Sequence, residues 1–213
     1  MTKPRFGASL ARVPRMSQAL RSCALLPLLH LLSGCSQGGP QAVPLRAVDA
    51  YAAKYHSDGL SAGAEPFDTY AKSTNAFGTH VSQNFTPVQL VVENATADKF
   101  LLQRRQTKLI CGDGTSLEAV SALAMFEPYR EHRAGFAPLD PSSNRSTAYK
   151  LDRTRSDWIE KEFPAETILT TGGRAGGFLY FRGTCSYRNG RRLSVTADKV
   201  SSPDFVTLAF ELR

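Results

Sequence analysis

The 213-residue sequence predicts a mostly β protein, built as an antiparallel β-sandwich with a short helical insertion. From Phe67 onward, six or seven short segments alternate apolar and polar residues, the period of a strand with one face in a core. Glycine-bearing turns separate several of these segments, and only one short helix interrupts them. Many short strands joined by tight turns are typical of antiparallel sheets rather than of parallel α/β folds.

The first 34 residues have the three parts of a secretory signal peptide. A region with five basic residues and no acidic one is followed by an apolar core from Cys23 to Leu32 and then by small residues. About ten apolar residues are too few to cross a bilayer core, which needs roughly 20. Met16 is an alternative start, since residues 16–34 form a shorter signal of the same design.

The basic character of the chain belongs mainly to this leader. The whole sequence has 26 basic and 19 acidic residues, a net charge of +7. Subtracting the five leader residues leaves 21 basic against 19 acidic, a net charge of +2. Because basic and acidic residues are nearly equal in number, the mature chain has no strong positive field for phosphate binding. We therefore predict no nucleic-acid partner.

The leader ends in Leu32-Ser33-Gly34-Cys35, which resembles the lipobox of bacterial lipoproteins. The resemblance implies that diacylglycerol is attached to the thiol of Cys35, that cleavage precedes it, and that the new amino group is acylated, for example with palmitate. The alternative, a cysteine buried in a core helix, conflicts with the glycines and proline of 38–40. Three acyl chains hold a protein on a membrane essentially permanently, at about 0.8 kcal/mol per buried methylene. Ser36, rather than Asp, implies outer-membrane sorting in enterobacterial-type systems.

After the lipidated cysteine, the composition predicts a tether and then one domain. Residues 36–47 are rich in Gly, Pro and Gln, which predicts a flexible tether. Val48 to Tyr55 is predicted to form a short helix, and residues 48–213 to form a single β-sandwich domain. Its first clear strand is Thr86 to Asn94. Its inward face is predicted to hold Val88, Leu90 and Val92, and its outward face Gln89 and Glu93.

Two hairpins can be predicted with their register. In the first, a three-residue loop ending in Gly114 pairs Cys111 with Thr115 and Leu109 with Leu117. In the second, Arg188-Asn189-Gly190 forms either a two-residue Asn-Gly turn or a three-residue loop. The three-residue loop keeps the apolar faces together, and it pairs Cys185 with Leu193 and Gly183 with Val195.

The C-terminal third is therefore predicted to be a meander of three strands. Its last strand follows a turn at 201–204 and places Val206, Leu208, Phe210 and Leu212 on one face. Before the meander, Ser142 to Ser146 is predicted to be a polar loop. Asp157 to Phe163 is predicted to be a two-turn helix with Ser156 as its N-cap and Pro164 as its stop. We expect an immunoglobulin-like arrangement rather than a barrel.

The remaining cysteines predict a disulfide. Cys23 is lost with the signal peptide and Cys35 is lipidated, which leaves Cys111 and Cys185 in an oxidising compartment. Two free thiols, or one catalytic thiol, are the competing interpretations. The segments PVQLVVEN and TTGGRAGGFLYF and the first hairpin are similar to those of uncharacterised periplasmic lipoproteins of β-sandwich type, which supports the fold but implies no activity.

The sequence contains no strong catalytic or metal-binding motif. His56, His80 and His132 are too far apart for a local zinc site, and the glycines of 172–177 lack the ending of a phosphate loop, so they are predicted to form a turn. No Gly-x-Ser-x-Gly elbow occurs, and we predict no cofactor. Scattered carboxylates could pair as in glycosidases; these are Glu118, Glu127, Glu131 and Asp140.

Two surface features have alternative interpretations. The aromatic residues Phe67, Tyr70, Phe77, Phe85, Phe126, Tyr129 and Phe136 either form a binding rim or tuck over the ends of the sandwich. Arg104-Arg105 and Arg191-Arg192 are predicted to be solvated edge charges. The alternative is that they bind an anionic partner such as lipopolysaccharide.

Two functions are consistent with these patterns. The favoured one is a membrane-anchored, non-catalytic envelope lipoprotein that acts as a binding or assembly module, facing the periplasm from the outer membrane and contacting an envelope protein. The alternative is a periplasmic hydrolase whose site is assembled from scattered residues.

Overall fold

The computed structural model describes residues 41–81, 84–134, 141–185 and 190–212, with the backbone alone for 132–134 and 141–147. The predicted signal peptide, Cys35 and the first part of the predicted tether lie outside the described residues. Ten antiparallel strands make one sheet, which is accompanied by three helices. The strands are β1 Ala53–Ser57, β2 Leu60–Pro66, β3 Phe85–Asn94, β4 Phe100–Gln103, β5 Lys108–Cys111, β6 Ser116–Val120, β7 Glu166–Leu169, β8 Arg174–Arg182, β9 Arg191–Lys199 and β10 Phe205–Leu212. The helices are α1 Tyr70–Phe77, α2 Ala122–Ala134 and α3 Pro141–Glu160, and short 3-10 turns occur at Val48–Ala50 and Arg104–Gln106.

The strand order is β1-β2-β3-β8-β6-β5-β9-β4-β7, and β10 also pairs with β9. Strand β6 joins two half-sheets, because Ser116–Glu118 pair with β5 whereas Ala119 and Val120 pair with β8. Among the described strands, the pairing does not close into a barrel. The prediction of a mostly β, antiparallel fold is confirmed at this level.

One hydrophobic core is shared by both half-sheets. Leu90 of β3 and Leu179 of β8 belong to the same buried cluster as Leu193 of β9 and Leu208 of β10. Each of these side chains is fully buried. The inner faces of the half-sheets therefore cover each other, and their apolar residues provide most of the burial that stabilises the domain.

The helices cover the opposite face of the half-sheet that contains β3 and β8. Phe178 and Tyr180 of β8 point to this side and pack with Phe77 of α1 and Trp158 of α3. The Phe77 and Trp158 rings meet edge-on with centroids 6.1 Å apart. The helices pack against aromatic residues on the outer face of the sheet, so β8 is buried on both faces. This explains why Phe178–Phe181 is a continuous apolar run.

Three predictions about strands and turns are confirmed. β3 spans Phe85–Asn94 with Val88, Leu90 and Val92 in the core. In the first hairpin Leu109 lies opposite Leu117, Cys111 accepts and donates backbone bonds across the turn, and Gly114 has a left-handed φ of 86°. On β10, Leu208, Phe210 and Leu212 are buried, with Val206 partly so.

The second predicted hairpin is wrong. β8 pairs with β3 and β6, not with β9. Leu193 lies opposite Leu109 and Phe210 instead of Cys185, and Val195 lies opposite Leu208 instead of Gly183. The turn residues 188 and 189 lie outside the described residues. Only the β9–β10 part of the predicted three-stranded meander is present. Alternation of apolar residues shows which faces of two strands could match, but it does not show which strands are neighbours.

Three further predictions about local structure are corrected. Residues 48–55 do not form one helix: a single 3-10 turn is followed by β1. Residues 142–146, predicted to be a loop, lie within the 20-residue helix α3, and the predicted helix 157–163 is only its last turn plus the chain that follows. The glycines of 172–177 form a turn only at the start, since Gly176 and Gly177 lie inside β8.

Candidate functional site

The end of the predicted tether, residues 41–47, lies on the domain. The backbone N–H of Gln41 donates to the carbonyl of Asn75 in α1 at 2.8 Å. Val43 packs against the aromatic cluster under the helices, and Arg46 receives a hydrogen bond from Arg174 at its carbonyl. Residues 41–47 therefore do not act as a free tether. The rest of the predicted tether, residues 36–40, lies outside the described residues.

Gln89 holds this segment against the sheet. Its side chain is on the outer face of β3, as predicted, but it is buried rather than solvated. The Gln89 amide nitrogen donates to the carbonyls of Val43 and Pro44, each at 3.4 Å, and its oxygen accepts from the Tyr51 hydroxyl at 3.0 Å. A buried amide with its partners in place costs little, whereas an unpaired one is expensive, so these bonds specify where the segment lies.

Tyr51 continues the contact onto the neighbouring strand. Its ring lies on Gly63 of β2, where an added Cβ would come within 2.6 Å of the ring. The Arg46 guanidinium lies over the Tyr51 ring, 4.5 Å from its centroid. Arg46 and Lys72 both pair with Glu65, at the edge of a small cavity of about 150 Å³. The charged side chains that line this cavity are two cations and one carboxylate.

Helix α1 is fixed at both ends, next to the point where the N-terminal segment joins the domain. Thr69 caps its first turn by accepting from the Lys72 N–H, and Gly78 ends it with a left-handed φ of 71°. Just before the helix, Asp68 forms an ion pair with the buried Arg191 at the start of β9. This pair places α1 beside the end of the β9–β10 hairpin where Arg191 and Leu212 are opposite each other.

The other end of this hairpin carries an exposed apolar row. Across β7, β4, β9 and β10, consecutive partners are Ile168, Leu101, Asp198 and Phe205. Several of their sequence neighbours face the core: Phe100, Leu102, Leu169 and Ala197 are buried, and Val206 packs partly buried against the same cluster. By strand alternation the four residues of the row therefore point to the outer face. Ile168 and Phe205 are 59% and 65% exposed. We call these four residues the outer row; it spans about 14 Å at the usual strand spacing.

The disulfide predicted between Cys111 and Cys185 is present, with Cα atoms 5.3 Å apart. It links the end of β5 to the chain just after β8, two strands that belong to different half-sheets. Both cysteines are buried in the shared core cluster. This position suits a structural crosslink rather than a reactive thiol.

The described members of the predicted catalytic set make separate local contacts and form no metal site. Among the described side chains, no three His, Cys, Asp or Glu residues are grouped so that they could hold a metal. His56 pairs with Asp49 at 3.3 Å, and His80 contacts the ring of Tyr70. Glu127 pairs with Arg130 on α2, and Glu118 is exposed on β6. The side chains of His132 and Asp140 lie outside the described residues.

Most of the aromatic residues proposed for a rim are tucked in. Phe67, Phe77, Phe85 and Phe126 are buried in the cluster beneath the helices, and Tyr129 packs against it. Tyr70 is the exception, at 68% exposure. Phe136 lies outside the described residues. Except for Tyr70, the described rings are therefore buried or partly buried and do not form a binding rim, but they lie between the helices and a face of the sheet rather than over the ends of a sandwich.

Two of the four arginines predicted to be solvated form ion pairs in less exposed positions, Arg191 buried and Arg104 partly buried. Arg191 has a side chain only 3% exposed and pairs with Asp68, whereas its neighbour Arg192 is open to solvent. Arg104 pairs with Glu162, whose carboxylate also accepts from the N–H of Ala122 and so caps α2. The prediction is wrong for Arg104 and Arg191 because sequence alone did not reveal the acids that the fold brings to them.

Tyr180 lies close to this second pair. Its hydroxyl donates to the carbonyl of Trp158 at 3.0 Å. Burial, then the nearby negative charges of Glu162 and Asp157, raise the pKa of Tyr180 well above its ordinary value. The group is therefore a neutral donor that ties α3 to the sheet.

No protein-family model matches this chain, and no match was found among curated proteins or among solved structures. None of the described helices is long and apolar enough to cross a membrane.

Proposed function

We propose that this protein is a membrane-anchored envelope lipoprotein that acts as a non-catalytic binding or assembly module. The observation that carries the proposal is the sequence Leu32-Ser33-Gly34-Cys35 at the end of a short apolar leader. In this proposal Cys35 is the first residue of the mature chain and carries diacylglycerol, and an acyl chain such as palmitate modifies its amino group. The protein then faces the periplasm from the outer membrane.

The disulfide supports an oxidising location. A buried Cys111–Cys185 crosslink persists outside reducing compartments, which agrees with export by the predicted signal peptide. The two half-sheets, which meet over one core at β6, support a β-sandwich as the scaffold. The observed pairing does not show the immunoglobulin-like strand order that the sequence predicts.

The outer row is the surface that best supports a binding function. Phe205 and Ile168 are large apolar side chains that remain open to solvent on a sheet face, beside Leu101 and the charged Asp198. Ile168 of the outer row lies on the edge strand β7. A partner strand or loop could therefore bind the free backbone groups of β7 and the side chains of the outer row together. We propose that an envelope protein with a complementary apolar surface binds here.

Site-specific photocrosslinking in the native envelope tests the binding function. A photoreactive residue placed at Phe205 or at Ile168 should give the same discrete crosslinked product, because both sites border one surface. Tyr149 on α3, which is 69% exposed, is the matched control and should give none. Phe205→Asp should reduce the product formed from Ile168 several-fold. Identical products from all three sites, or no product from Phe205 and Ile168, would contradict the proposal.

The anchor itself is tested by fractionation. Cys35→Ser should leave the protein unlipidated, so that it is either released from membranes or retained as an uncleaved precursor. The oxidised Cys111–Cys185 pair should be unaffected in exported material. A Cys35→Ser protein with the processing and membrane association of the wild type would refute the anchor.

A further inference from the structure

We propose that the face of the domain formed by α1, with Tyr70, Lys72 and Asn75 exposed on it, lies against the lipid surface that holds the protein. This orientation rests on the proposed lipidation of Cys35. It adds the identity of the surface that meets the membrane, and it assigns the opposite end of the domain to the protein partner.

The first argument is the length of the chain between the anchor and the domain. The first described contact is the hydrogen bond from Gln41 to Asn75 of α1. Five residues lie between Cys35 and Gln41. Even a fully extended chain from one to the other spans only about 20 Å. A domain of roughly 170 residues is on the order of 40 Å across. Therefore α1 cannot be on the far side of the domain from the lipid.

The second argument is that residues 41–47 do not lengthen this connection. Gln89 binds the carbonyls of Val43 and Pro44, and Arg174 binds the carbonyl of Arg46. Releasing the segment would take these partners away from the buried Gln89 amide, which is unfavourable. The sequence alone predicted twelve flexible residues, but the structure leaves about half of them to act as a tether.

The third argument is the chemistry of the α1 face. Tyr70 is 68% exposed, and an amphipathic ring of this kind is suited to the headgroup region of a bilayer. Lys72 and Arg46 share the single carboxylate of Glu65, which leaves one uncompensated positive charge beside α1. Helix α1 itself, whose sequence is YAKSTNAF, contains no acidic residue. A lipid surface with anionic headgroups would therefore meet no like charge on the helix itself.

The outer row lies at the opposite end of the β9–β10 hairpin. Arg191 contacts Asp68 beside α1, whereas Phe205 is at the other end of β10. An eight-residue strand is about 23 Å long, so the two ends are well separated. With α1 on the lipid, the outer row faces away from the membrane, where an envelope partner can reach it.

Fluorescent probes on the lipidated full-length protein test this orientation. Tyr70→Cys and Phe205→Cys are a matched pair, because both replace exposed aromatics, 68% and 65% exposed. In the mature protein Cys35 would carry lipid and Cys111 and Cys185 are paired, so only the new thiol takes an environment-sensitive label. The protein is reconstituted in vesicles of phosphatidylethanolamine and phosphatidylglycerol, and quenching by spin-labelled lipid headgroups is compared with quenching by aqueous iodide.

The label at position 70 should be quenched several-fold more by the lipid quencher than the label at 205, and iodide should show the reverse order. Equal lipid quenching at both positions, or stronger quenching at 205, in protein that floats with the vesicles would overturn the orientation and leave the anchor intact. Protein that does not float would refute the anchor, and the orientation with it.

A linker variant tests the cause. Inserting a long Gly/Ser segment after Gly39 should reduce the difference in lipid quenching between the labels, because the domain then rotates more freely. An unchanged difference would contradict the claim that the short connection orients the domain.

Discussion

At the scale of single residues, the least expected feature is the burial of Arg191. Its position in Arg191-Arg192 predicts a solvated edge charge, yet Asp68 from a loop more than a hundred residues away is its ion-pair partner. Sequence patterns could not predict this pair, because they contain no information on which loop packs against the start of β9. The nearby Arg192–Glu211 pair, in contrast, is exposed, as the sequence suggests for Arg192.

The two neighbouring arginines provide a direct comparison. Asp68→Ala should lower the free energy of unfolding by about 3 kcal/mol, because it leaves the Arg191 cation buried without its counter-ion. Glu211→Ala should change it by less than about 1 kcal/mol. Urea unfolding measures both. Recovery of much of the loss in the double variant Asp68→Ala/Arg191→Met would confirm the cause, whereas equal effects of the two single variants would exclude it.

Tyr180 makes stability depend on alkaline pH. Because burial and nearby carboxylates raise its pKa in the folded state, the unfolded chain loses the phenol proton first, at about pH 10. Its contribution is therefore fully present below about pH 10 and is lost as pH rises further towards the folded-state pKa. Urea midpoints should fall more steeply above about pH 10 in the wild type than in Tyr180→Phe. Parallel pH profiles would show that Tyr180 does not contribute.

At the scale of elements, β8 depends on two adjacent glycines for different reasons. A Cβ on Gly177 would lie 2.6 Å from the backbone nitrogen of Phe163, which is fixed by a hydrogen bond to Phe178. A Cβ on Gly176 would come within 2.8 Å of the tip of the Leu45 side chain, which is 41% exposed, and within 3.1 Å of the Leu90 carbonyl oxygen. Because a side chain at position 177 would meet backbone atoms held in a hydrogen bond, the surrounding structure could not easily move to make room for it.

Gly177→Ala should accordingly lower the free energy of unfolding by about 3 kcal/mol or more, whereas Gly176→Ala should cost about 1 kcal/mol. Thermal unfolding gives the comparison. Adding Leu45→Ala should relieve part of the cost at Gly176 and none at Gly177. A greater loss of stability at Gly176 than at Gly177 would be inconsistent with the described packing.

The elements that could be predicted from the sequence are those determined by neighbours in the chain. The hairpin at Gly114 and the face of β10 follow from residue alternation and turn chemistry alone. Helix α3 could not be predicted in full, because much of Pro141–Glu160 is polar and has no continuous apolar stripe. The prediction that β8 pairs with β9 is wrong, because several strands have equally apolar faces and only the whole fold determines which of them are neighbours.

At the scale of the whole molecule, the disulfide joins the two half-sheets. Cys111 and Cys185 are 74 residues apart in sequence, and closing a loop of this length in the unfolded chain contributes about 4.5 kcal/mol on the chain-entropy model. We expect Cys111→Ala/Cys185→Ala to lose up to this amount in urea unfolding. Reductant should destabilise the wild type to a similar extent and leave the variant unchanged. Two thiols that react with iodoacetamide in the folded, unreduced protein would disprove the crosslink.

The proposed site could be predicted only in part. The lipid attachment residue is predicted by the leader itself, and the pairing of the two remaining cysteines by elimination. The docking of 41–47 could not be predicted, because a Gly-, Pro- and Gln-rich composition is typical of a tether and Gln89 alternates like a solvent-facing residue. The outer row was missed because its members come from four strands whose order the sequence does not specify.

The most direct test of the account is mass spectrometry of the N-terminal peptide from the native, membrane-extracted protein. We predict a peptide that begins at Cys35, with diacylglycerol on its thiol and an acyl chain on its amino group. Such a peptide would establish the anchor on which both the function and the orientation depend. An unmodified Cys35, or a mature chain that begins at another residue, would contradict the account.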